Sequence, residues 1–403
     1  MRKPTLRPFL LGLAAILAPP APALAAPAET EAPNAPWQRP AFAGQTRAEA
    51  PPKATSLAVS TVVESLPHSW SFGFLPDGRI LTAQKAGEMR IVGKDGRITE
   101  VAGVPRVDAR GQGGLLDLAP SPRFAEDRLV FFSFAEPRDP GNGTSVGRAR
   151  LVEDGGRARL EDVRVIFRQE PSWNNNMHFG SRLVFDDAGR LYITVGERSD
   201  AAARGQAQDL GSGLGKVFRI EADGAIPKDN PFVGQPGKVP SIWSYGHRNL
   251  QSAALDARGR LWTVEHGPRG GDELNRPEAG KNYGWPLVTY GAEYSGNRVG
   301  RGLTQREGTE QPVYYWDPVI APSGLAIYRG ALFPEWRGAM IVGGLVSQGV
   351  VVLRMADDRV ATEERIPLSA RIRDVREGPD GAVYALTERD KGGSRILRLA
   401  PRP

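Results

Sequence analysis

A short hairpin pattern that returns six times along the chain is the feature that most limits how it can fold. Each copy has an apolar run, a turn of the Asp-Gly type and a second apolar run, as in the segment LVFDDAGRLYIT that begins at Leu183. Such turns need residues at positive φ, which Gly and Asp adopt at low cost, so each copy predicts a β-hairpin. The turns are centred near residues 77, 127, 188, 258, 333 and 380.

The spacing of these turns predicts the architecture. Successive turns lie roughly 50 to 75 residues apart, which is the period of propeller blades that carry loop insertions. A β-sandwich does not require the same hairpin six times, so the pattern favours an all-β fold, a six-bladed β-propeller over residues 56–403. The 48 glycines and 34 prolines support many turns and short strands rather than long helices. Loops at one mouth of the central channel can then gather residues that are distant in sequence.

The first 55 residues differ from the rest in composition. Residues 1–26 begin with Arg2 and Lys3, continue with the short apolar run PFLLGLAAILA and end in an Ala-x-Ala site, which is typical of a secretory signal peptide. Residues 27–55 are rich in Ala, Pro and Glu and predict a disordered linker. No later run reaches ~18 uninterrupted apolar residues, so we expect a periplasmic protein without a membrane span.

Charge and cysteine content exclude several classes of function. The formal net charge is +6, but the Lys and Arg residues are scattered rather than grouped, which argues against a nucleic-acid surface. A small acidic ligand is easier to reconcile with single arginines beside turns. The absence of cysteine excludes disulfides, thiolate nucleophiles, iron–sulfur clusters and covalent haem.

One of the four histidines, His178, lies in a loop directly before the third hairpin. Loops held by a rigid sheet commonly carry catalytic groups, and an imidazole titrates near neutral pH. A lone histidine more often has a structural role, so at this point both a structural hydrogen bond and a catalytic base remain open. Glu197, just after the hairpin, is the first candidate to orient the ring.

Two further loops contain polar residues suited to binding an anion. Gln112 stands among glycines in RGQGGLL, and Arg248 and Asn249 lie in GHRN. A guanidinium presents a planar fork that matches a carboxylate or another anion, and an amide adds a neutral donor and acceptor. A tight turn at Gln112 and a salt bridge between blades at Arg248 are the structural alternatives.

The segment EHGPRGGDELN, which begins at Glu265, has the chemistry of a calcium site. Its Gly-Pro and Gly-Gly steps expose backbone carbonyls, and Asp272 and Glu273 offer carboxylates. Hard oxygen donors of this kind suit calcium better than zinc. The histidines lack the HExxH spacing, which excludes a zincin.

Three arginines near the C-terminus alternate with apolar residues as they would on a strand. Strict alternation places Arg371 and Arg373 on one face, whereas Arg376 is out of phase. Solvated charge at a sheet edge is one interpretation of this pattern. A pocket for a multiply anionic ligand is the other.

Taken in order, the motifs GQGGLL, MHFGSRL, GHRN, EHGPRGGDELN, GKNYGWP, EQPVYYW and RIRDVR resemble the soluble, PQQ-dependent aldose sugar dehydrogenases of the glucose/sorbosone dehydrogenase family. The resemblance runs from about Ser60 to Leu399, and the ordered set is far more specific than any single motif. It implies a six-bladed propeller that oxidises aldoses to lactones with pyrroloquinoline quinone (PQQ) and calcium. The preferred sugar, the electron acceptor and the choice between monomer and homodimer stay open.

The resemblance also implies roles for individual residues. His178 would take the proton from the anomeric hydroxyl while hydride passes to the C5 carbonyl of PQQ, and Arg248 would stabilise charge on the reduced oxygen. The residues implied to contact the cofactor are Gln112, Arg248, Asn249, Tyr294, Arg373 and Arg376. Those implied to bind metal are Gly267 and Pro268, through carbonyls to the calcium at PQQ, and Glu273 and Tyr283 at a second, structural calcium.

Two positions depart from the family pattern. Glu197 stands where relatives of the glucose-oxidising type have an Asp that orients the histidine, and its side chain is one methylene longer. Val346 occupies the position of a PQQ-contacting Lys in many relatives, which leaves Ser347 and Gln348 as neutral donors.

Two other classes of function remain open on the sequence. A calcium-dependent lactonase or phosphotriesterase on a propeller would need a cage of side-chain carboxylates and amides around a channel metal. A non-catalytic propeller would act only as a binding platform, and His178 and Arg248 would then tolerate replacement.

Overall fold

The structure is a computed structural model that describes residues 26–388 and 393–402. Apart from Ala26, the signal peptide predicted for residues 1–26 lies outside the described residues. Within the two described ranges, no helix is long and apolar enough to cross a membrane.

Short strands account for most of the regular structure in these ranges. The first nine are β1 (Leu57–Leu66), β2 (Ser69–Phe74), β3 (Ile80–Gln84), β4 (Glu88–Val92), β5 (Ile98–Ala102), β6 (Leu115–Pro120), β7 (Leu129–Pro137), β8 (Asn142–Asp154) and β9 (Arg157–Arg168). The next eight are β10 (Leu183–Phe185), β11 (Leu191–Val195), β12 (Lys216–Ile220), β13 (Ile242–Tyr245), β14 (Leu250–Leu255), β15 (Leu261–Glu265), β16 (Asp272–Asn275) and β17 (Tyr314–Trp316). The last seven are β18 (Pro322–Ile327), β19 (Met340–Gly344), β20 (Gly349–Ala356), β21 (Arg359–Pro367), β22 (Ile372–Glu377), β23 (Val383–Thr387) and β24 (Ser394–Pro401). The helical turns are α1 (Phe124–Asp127), α2 (Ala201–Arg204) and two 3₁₀ turns, Gly205–Gln208 and Pro334–Trp336.

The all-β class predicted from the sequence is confirmed. Four sheets have four strands each, in the orders β1-β24-β23-β22, β10-β11-β12-β13, β14-β15-β16-β17 and β18-β19-β20-β21. The remaining sheet has eight strands, in the order β2-β3-β4-β5-β9-β8-β7-β6. All pairings in the four-stranded sheets are antiparallel, whereas β5 and β9 run parallel.

The six predicted hairpins are all present as antiparallel pairs: β2–β3, β6–β7, β10–β11, β14–β15, β18–β19 and β22–β23. The third shows why the sequence marks them so clearly. The Asp186 carboxylate accepts the backbone N–H of Ala188 at 3.0 Å and of Arg190 at 2.9 Å, while Gly189 adopts φ +82°. The aspartate thus closes the turn, and the glycine supplies the backbone conformation that a side chain would disfavour.

The first strands of the six hairpins contact one another in cyclic order, from β2 through β6, β10, β14 and β18 to β22, which returns to β2. At one end of this ring lies a cavity of about 440 Å³ to which every one of the six strands contributes, through Phe74, Ala119, Phe185, Leu255, Leu325 and Arg376. The ring is closed by the chain ends, because β1 pairs with β24 and places Leu57 opposite Pro401.

The hydrophobic core is divided among the spaces between neighbouring sheets. One cluster joins Phe131 of β7 and Val146 of β8 to Leu191 and Phe218 of the next sheet. Similar clusters fill the other spaces between sheets. The sheets therefore stack side by side around the ring, which leaves the loops at its two ends free to carry polar groups.

Inside the ring, buried ion pairs connect three of the first strands. The Asp117 carboxylate accepts hydrogen bonds from Arg182 and from Arg376, both at 2.9 Å, and Arg182 also lies 3.1 Å from Asp374. The side chain of Arg182 is 1% exposed and those of both aspartates are 0% exposed. This ion-pair network joins β6, β22 and the entry to β10, and it separates the cavity described above from the opposite mouth of the ring.

The prediction of a disordered linker over residues 27–55 is wrong. The segment packs along β17 and β21: the Ala48 amide donates to the Tyr314 hydroxyl at 2.9 Å, and the Glu363 amide donates to the Glu49 carbonyl at 3.0 Å. Partners more than 250 residues away supply the order, and a local composition cannot reveal them.

Replacing Arg182 with Met should lower the free energy of unfolding by about 3–5 kcal/mol, because it leaves two buried carboxylates short of a partner. Urea unfolding followed by circular dichroism measures the change. Arg398→Met, which breaks the half-exposed pair with Asp380, is the matched control and should cost at most about 1 kcal/mol. Equal effects of the two substitutions would contradict the role given to the buried network.

Candidate active site

His178 lies at the mouth of the ring on the far side of the ion-pair network, in the loop that leads into β10. Its side chain is 4% exposed, and its Nδ1 lies 2.6 Å from the Glu197 carboxylate. Its backbone N–H donates to Gln112 Oε1 at 2.8 Å. The expectation that Glu197 orients the ring is thus met, since this glutamate directly follows the hairpin that His178 precedes.

The contact with Glu197 fixes which ring nitrogen of His178 carries the proton. A carboxylate only accepts, so Nδ1 is the donor and Nε2 keeps its lone pair. Burial and the neighbouring Arg248 guanidinium lower the pKa of His178 to about 4, although Glu197 opposes them. At neutral pH the imidazole is therefore uncharged and oriented, which is the state that a general base needs.

The backbone at this loop is held in an unusual conformation. His178 has φ +49° and Ser181 has φ +96°, and across the hairpin Arg198 has φ +74°. Non-glycine residues in this region are strained and persist where their surroundings hold them, commonly at functional sites. Arg198 is part of that support, because its guanidinium donates to the Met177 carbonyl at 3.0 Å.

Arg248 and Asn249 lie beside His178, as the sequence predicted. The Arg248 carbonyl accepts the Glu197 amide at 2.9 Å, and its Nη1 donates to the Gly267 carbonyl at 2.7 Å. Asn249 Oδ1 accepts the Gly180 amide at 3.3 Å. The GHRN loop therefore touches both the His178 loop and the Gly-Pro loop.

Register shifts explain how other polar side chains reach this mouth. In β14 the pairing passes from Leu250 to Ser252, and in β22 it passes from Ile372 to Asp374, so Gln251 and Arg373 are left unpaired in the ladder. A β-bulge of this kind turns a side chain away from the alternation of the strand. The two bulge residues meet, because Arg373 Nη1 donates to Gln251 Oε1 at 3.0 Å.

The three C-terminal arginines do not act as one group. Arg373 donates to Glu388 at 2.5 Å and Arg371 lies 3.7 Å from the same carboxylate. Arg376 instead belongs to the ion-pair network and lines the cavity at the other end of the ring. Arg376 therefore lies apart from His178, contrary to the cofactor contact expected for it.

The predicted metal-binding residues fall into two places. The Gly267 carbonyl faces the Arg248 guanidinium, and Pro268 packs against Gly291. Glu273 lies next to Glu265, and burial together with this neighbouring carboxylate raises the pKa of Glu273 well above its usual value.

Tyr283 lies near these carboxylates, stacked on His247 with ring centroids 4.8 Å apart. Tyr294, expected at the pocket wall, is 71% exposed. Among the described residues, no three His, Asp or Glu side chains converge on one point, so a metal at either place would rely on backbone carbonyls as well.

Two side chains that contact or neighbour the predicted residues, His266 and Glu388, escaped the sequence prediction. His266 lies near His178, Arg248 and Arg373, and its Nε2 donates to the Pro322 carbonyl at 2.8 Å. Burial and Arg248 lower the pKa of His266 to about 3, so this ring is also neutral. The position of His266 directly before Gly267 could have marked it as a site residue from the sequence. Nothing except its charge could have marked Glu388.

The site contains buried polar atoms without a hydrogen-bond partner in the described part of the chain: Glu197 Oε2, Arg248 Nε, Asn249 Nδ2 and Ser347 Oγ. Native structures rarely leave such atoms unsatisfied unless a ligand, ion or water completes them. Three of the four belong to the residues that surround His178. The arrangement is therefore suited to hold a polar ligand next to a neutral imidazole.

Several known proteins are similar to this chain in sequence. The glucose/sorbosone dehydrogenase family model matches residues 66–398. Over 352 residues the chain is 44% identical to the aldose sugar dehydrogenase YliI of Escherichia coli (strain K12), which covers 85% of this chain and 93% of that protein. It is 29% identical to quinoprotein glucose dehydrogenase B of Acinetobacter calcoaceticus, over 80% of this chain and 83% of that one.

Solved structures give the same result. The apo form of the soluble aldose sugar dehydrogenase from Escherichia coli superposes with a TM-score of 0.81 at 42% identity, covering 86% of this chain and all (100%) of that one. The PQQ-bound form of an aldose sugar dehydrogenase from Streptomyces coelicolor gives 0.72 at 30% identity, with 87% and 99% covered. The sugar dehydrogenases among these relatives show that the chain is an oxidoreductase. The chain belongs to the glucose/sorbosone dehydrogenase family, which confirms the resemblance drawn from its motifs.

The neutral state of His178 can be tested by NMR titration of its ring from about pH 8 to about pH 4. We expect protonation only as the pH falls to about 4, and a higher pKa in Arg248→Met, because the repelling guanidinium is removed. Because the folded-state pKa lies below the ordinary 6.5, protonation of His178 favours the unfolded chain. The free energy of unfolding should therefore decrease as the pH falls from about 6.5, and the contribution of this residue to the decrease is complete below about pH 4. A wild-type pKa at or above 6.5 would contradict the assignment.

Proposed function

We propose that this chain is an exported, periplasmic quinoprotein that oxidises aldose sugars at the anomeric carbon to lactones. The observation that carries the proposal is the neutral His178, oriented by Glu197 and adjacent to Arg248 at the mouth of the ring. The 44% identity to an aldose sugar dehydrogenase supports the substrate class. The basic and apolar start of the sequence supports export.

We also propose that the fold is a six-bladed propeller. The eight-stranded sheet supports this count, because its two sets of four strands pair with each other only at Val101–Ala158 and Ala102–Arg159. Divided at that parallel contact, the sheets become six sets of four, each with one of the six hairpins. The cyclic contacts of the first strands support the same arrangement.

The residues at the mouth suit PQQ, which carries three carboxylates. Arg248 and Arg373 would pair with carboxylates, and Gln112 and Asn249 would donate or accept at neutral polar positions. The partnerless Arg248 Nε and Asn249 Nδ2 support this, since both are donors that a polyanion would satisfy. When bound, PQQ supplies the two-electron acceptor that the side chains of this protein lack.

A calcium ion at the Gly267 and Pro268 carbonyls is part of the proposal. Carbonyl oxygens are suitable ligands for it, and its role would be to act as a Lewis acid beside the cofactor. Arg248 donates to the Gly267 carbonyl, so a calcium ion at this oxygen would lie close to the guanidinium and would be repelled by its positive charge. Binding would therefore depend on the carboxylates of the cofactor, and calcium affinity should be low without PQQ.

A second, structural calcium would lie at Glu273 and the Tyr283 carbonyl. The adjacent buried carboxylates of Glu265 and Glu273 support it: burial and then their mutual repulsion raise the pKa of Glu273, and a cation would relieve that repulsion.

The chain's own contribution to the reaction is the transfer of one proton. Nε2 of His178 would accept the proton of the anomeric hydroxyl, and Glu197 would stabilise the imidazolium through Nδ1. Arg248 would disfavour that imidazolium and so promote release of the proton once the sugar has left. Tyr294 would form an outer wall of the sugar site.

Reconstitution distinguishes this function from a calcium-dependent hydrolase on the same fold. Purified protein mixed with PQQ and calcium should reduce a redox dye when an aldose is added, whereas protein with calcium alone should not. Dye reduction should scale with the PQQ bound. Hydrolysis of lactones or phosphotriesters without any aldose-dependent dye reduction would overturn the proposal.

His178→Ala should lower turnover by about 10²–10⁴-fold, the usual contribution of a general base. Its affinity for PQQ, measured by fluorescence quenching, should stay within about threefold of wild type. Two substitutions of Glu197 form a matched pair. Glu197→Asp keeps the carboxylate on a shorter side chain and should lose less turnover than Glu197→Gln, which removes the charge. Unchanged turnover in His178→Ala would remove this residue from the mechanism.

A further inference from the structure

The segment of residues 27–50, here called the N-terminal strap, lies outside the residues that the family model matches, which begin at residue 66. It nevertheless packs along β17 and β21 and contacts two loops of the site. One is the carbonyl loop, residues 267–271, and the other is the mouth loop, residues 288–298. Both loops contain residues to which the proposed function gives a role.

The strap is joined to the carbonyl loop through Asp317. This carboxylate accepts the Asn34 amide at 2.6 Å and the Ala35 amide at 3.0 Å. The same Oδ1 that accepts the Asn34 amide faces Gly270, where an added Cβ would lie 2.5 Å from this oxygen and 3.2 Å from the Asn34 Cβ. One side chain therefore holds the strap, and strap and side chain together form the surface on which the carbonyl loop rests.

The strap also contacts the mouth loop directly. Gln38 Nε2 donates to the Thr289 carbonyl at 3.2 Å, and the Arg298 guanidinium lies 5.8 Å above the Trp37 ring. The two loops are themselves paired, because Arg269 and Ala292 exchange backbone hydrogen bonds at 2.9 and 2.8 Å. A change at the mouth loop is therefore passed to the carbonyl loop.

A buried glutamine anchors the strap behind these contacts. Gln45 is 0% exposed, its Oε1 accepts the Tyr290 hydroxyl at 3.0 Å, and its Nε2 donates to the Pro312 carbonyl at 2.9 Å. Its own carbonyl accepts the Tyr315 amide at 2.9 Å. Because Gln45 is satisfied at all of these positions, the strap is held as firmly as a strand.

We infer that the N-terminal strap is a positioning element that holds the carbonyl loop ready to bind the cofactor and its calcium, an inference that rests on the proposed function. The carbonyl loop contains three glycines, at positions 267, 270 and 271. Such a backbone loses much conformational freedom when it is ordered. With the strap in place the carbonyl loop is ordered before the cofactor binds. Without the strap, part of the cofactor's binding free energy would be used to order the loop.

The test uses the double variant Trp37→Ala with Gln38→Ala, which removes the contacts of these two side chains to the mouth loop and leaves the Gln45–Tyr290 hydrogen bond in place. The matched control is Glu29→Gln, which breaks the ion pair with Arg365 at the β21 end of the strap. Arg269 is exposed within the carbonyl loop, so trypsin can report on that loop in protein without cofactor. Mass spectrometry measures the rate at which the Arg269–Gly270 bond is cut.

We expect the double variant to be cut at this bond about 10-fold faster than wild type, because local opening becomes easier. Its dissociation constant for PQQ in calcium, from fluorescence quenching, should rise about 10-fold, while kcat at saturating PQQ changes less than about twofold. The Glu29→Gln control should match wild type in all three. Removal of residues 27–50 should accelerate cleavage, and raise the dissociation constant for PQQ, by more than the double variant does.

Unchanged cleavage at Arg269 in the double variant would overturn the inference, as would an equal acceleration in the Glu29→Gln control. If wild-type protein fails to bind PQQ, the proposed function fails, but the cleavage rates still decide whether the strap orders the loop. If the shortened chain does not fold, the double variant decides alone.

Discussion

The buried carboxylate of Asp117 fixes the geometry on which the site depends. It accepts two guanidinium groups and the Leu183 amide, which joins β6 to β22 and to the start of β10. These strands are far apart in the sequence, and opening the ring would leave buried charges without partners, at a cost of several kcal/mol. The ring therefore behaves as one unit, and the loops at its mouth are carried on a frame that resists deformation. The loop that holds His178 is one of those carried on this frame.

Opposing influences set the protonation state of His178. Glu197 orients the ring and favours its charged form, whereas burial and Arg248 favour the neutral form and prevail. If Glu197 alone decided the balance, the imidazole would hold its proton and could not accept another. Without it the ring would be neutral but free to turn. The positive φ of His178 shows that its loop is held in place by these contacts rather than by its own preference.

Much of this could be predicted from the sequence, and the failures share one cause. The hairpins were visible because each is closed by its own residues, as Asp186 closes the third, and the pairing of His178 with Glu197 followed from their places at the two ends of one hairpin. Arg373 and Arg376 were assigned together, but a bulge between Ile372 and Asp374 directs Arg373 to the mouth while Arg376 pairs inside the ring. No local pattern announces that shift. The strap was taken for a linker because its partners lie hundreds of residues downstream.

The pairing of β1 with β24 has a consequence for how the chain is made. Leu57 and Pro401 are neighbours in one sheet although almost the whole sequence separates them. During synthesis the first strand must wait for the last, and the intervening sheets can form while the ring is still open. Contacts between such distant residues slow folding, and each unpaired edge is exposed for that time. Pairing of β24 with β1 is therefore the step after which the open edge no longer favours association with other chains.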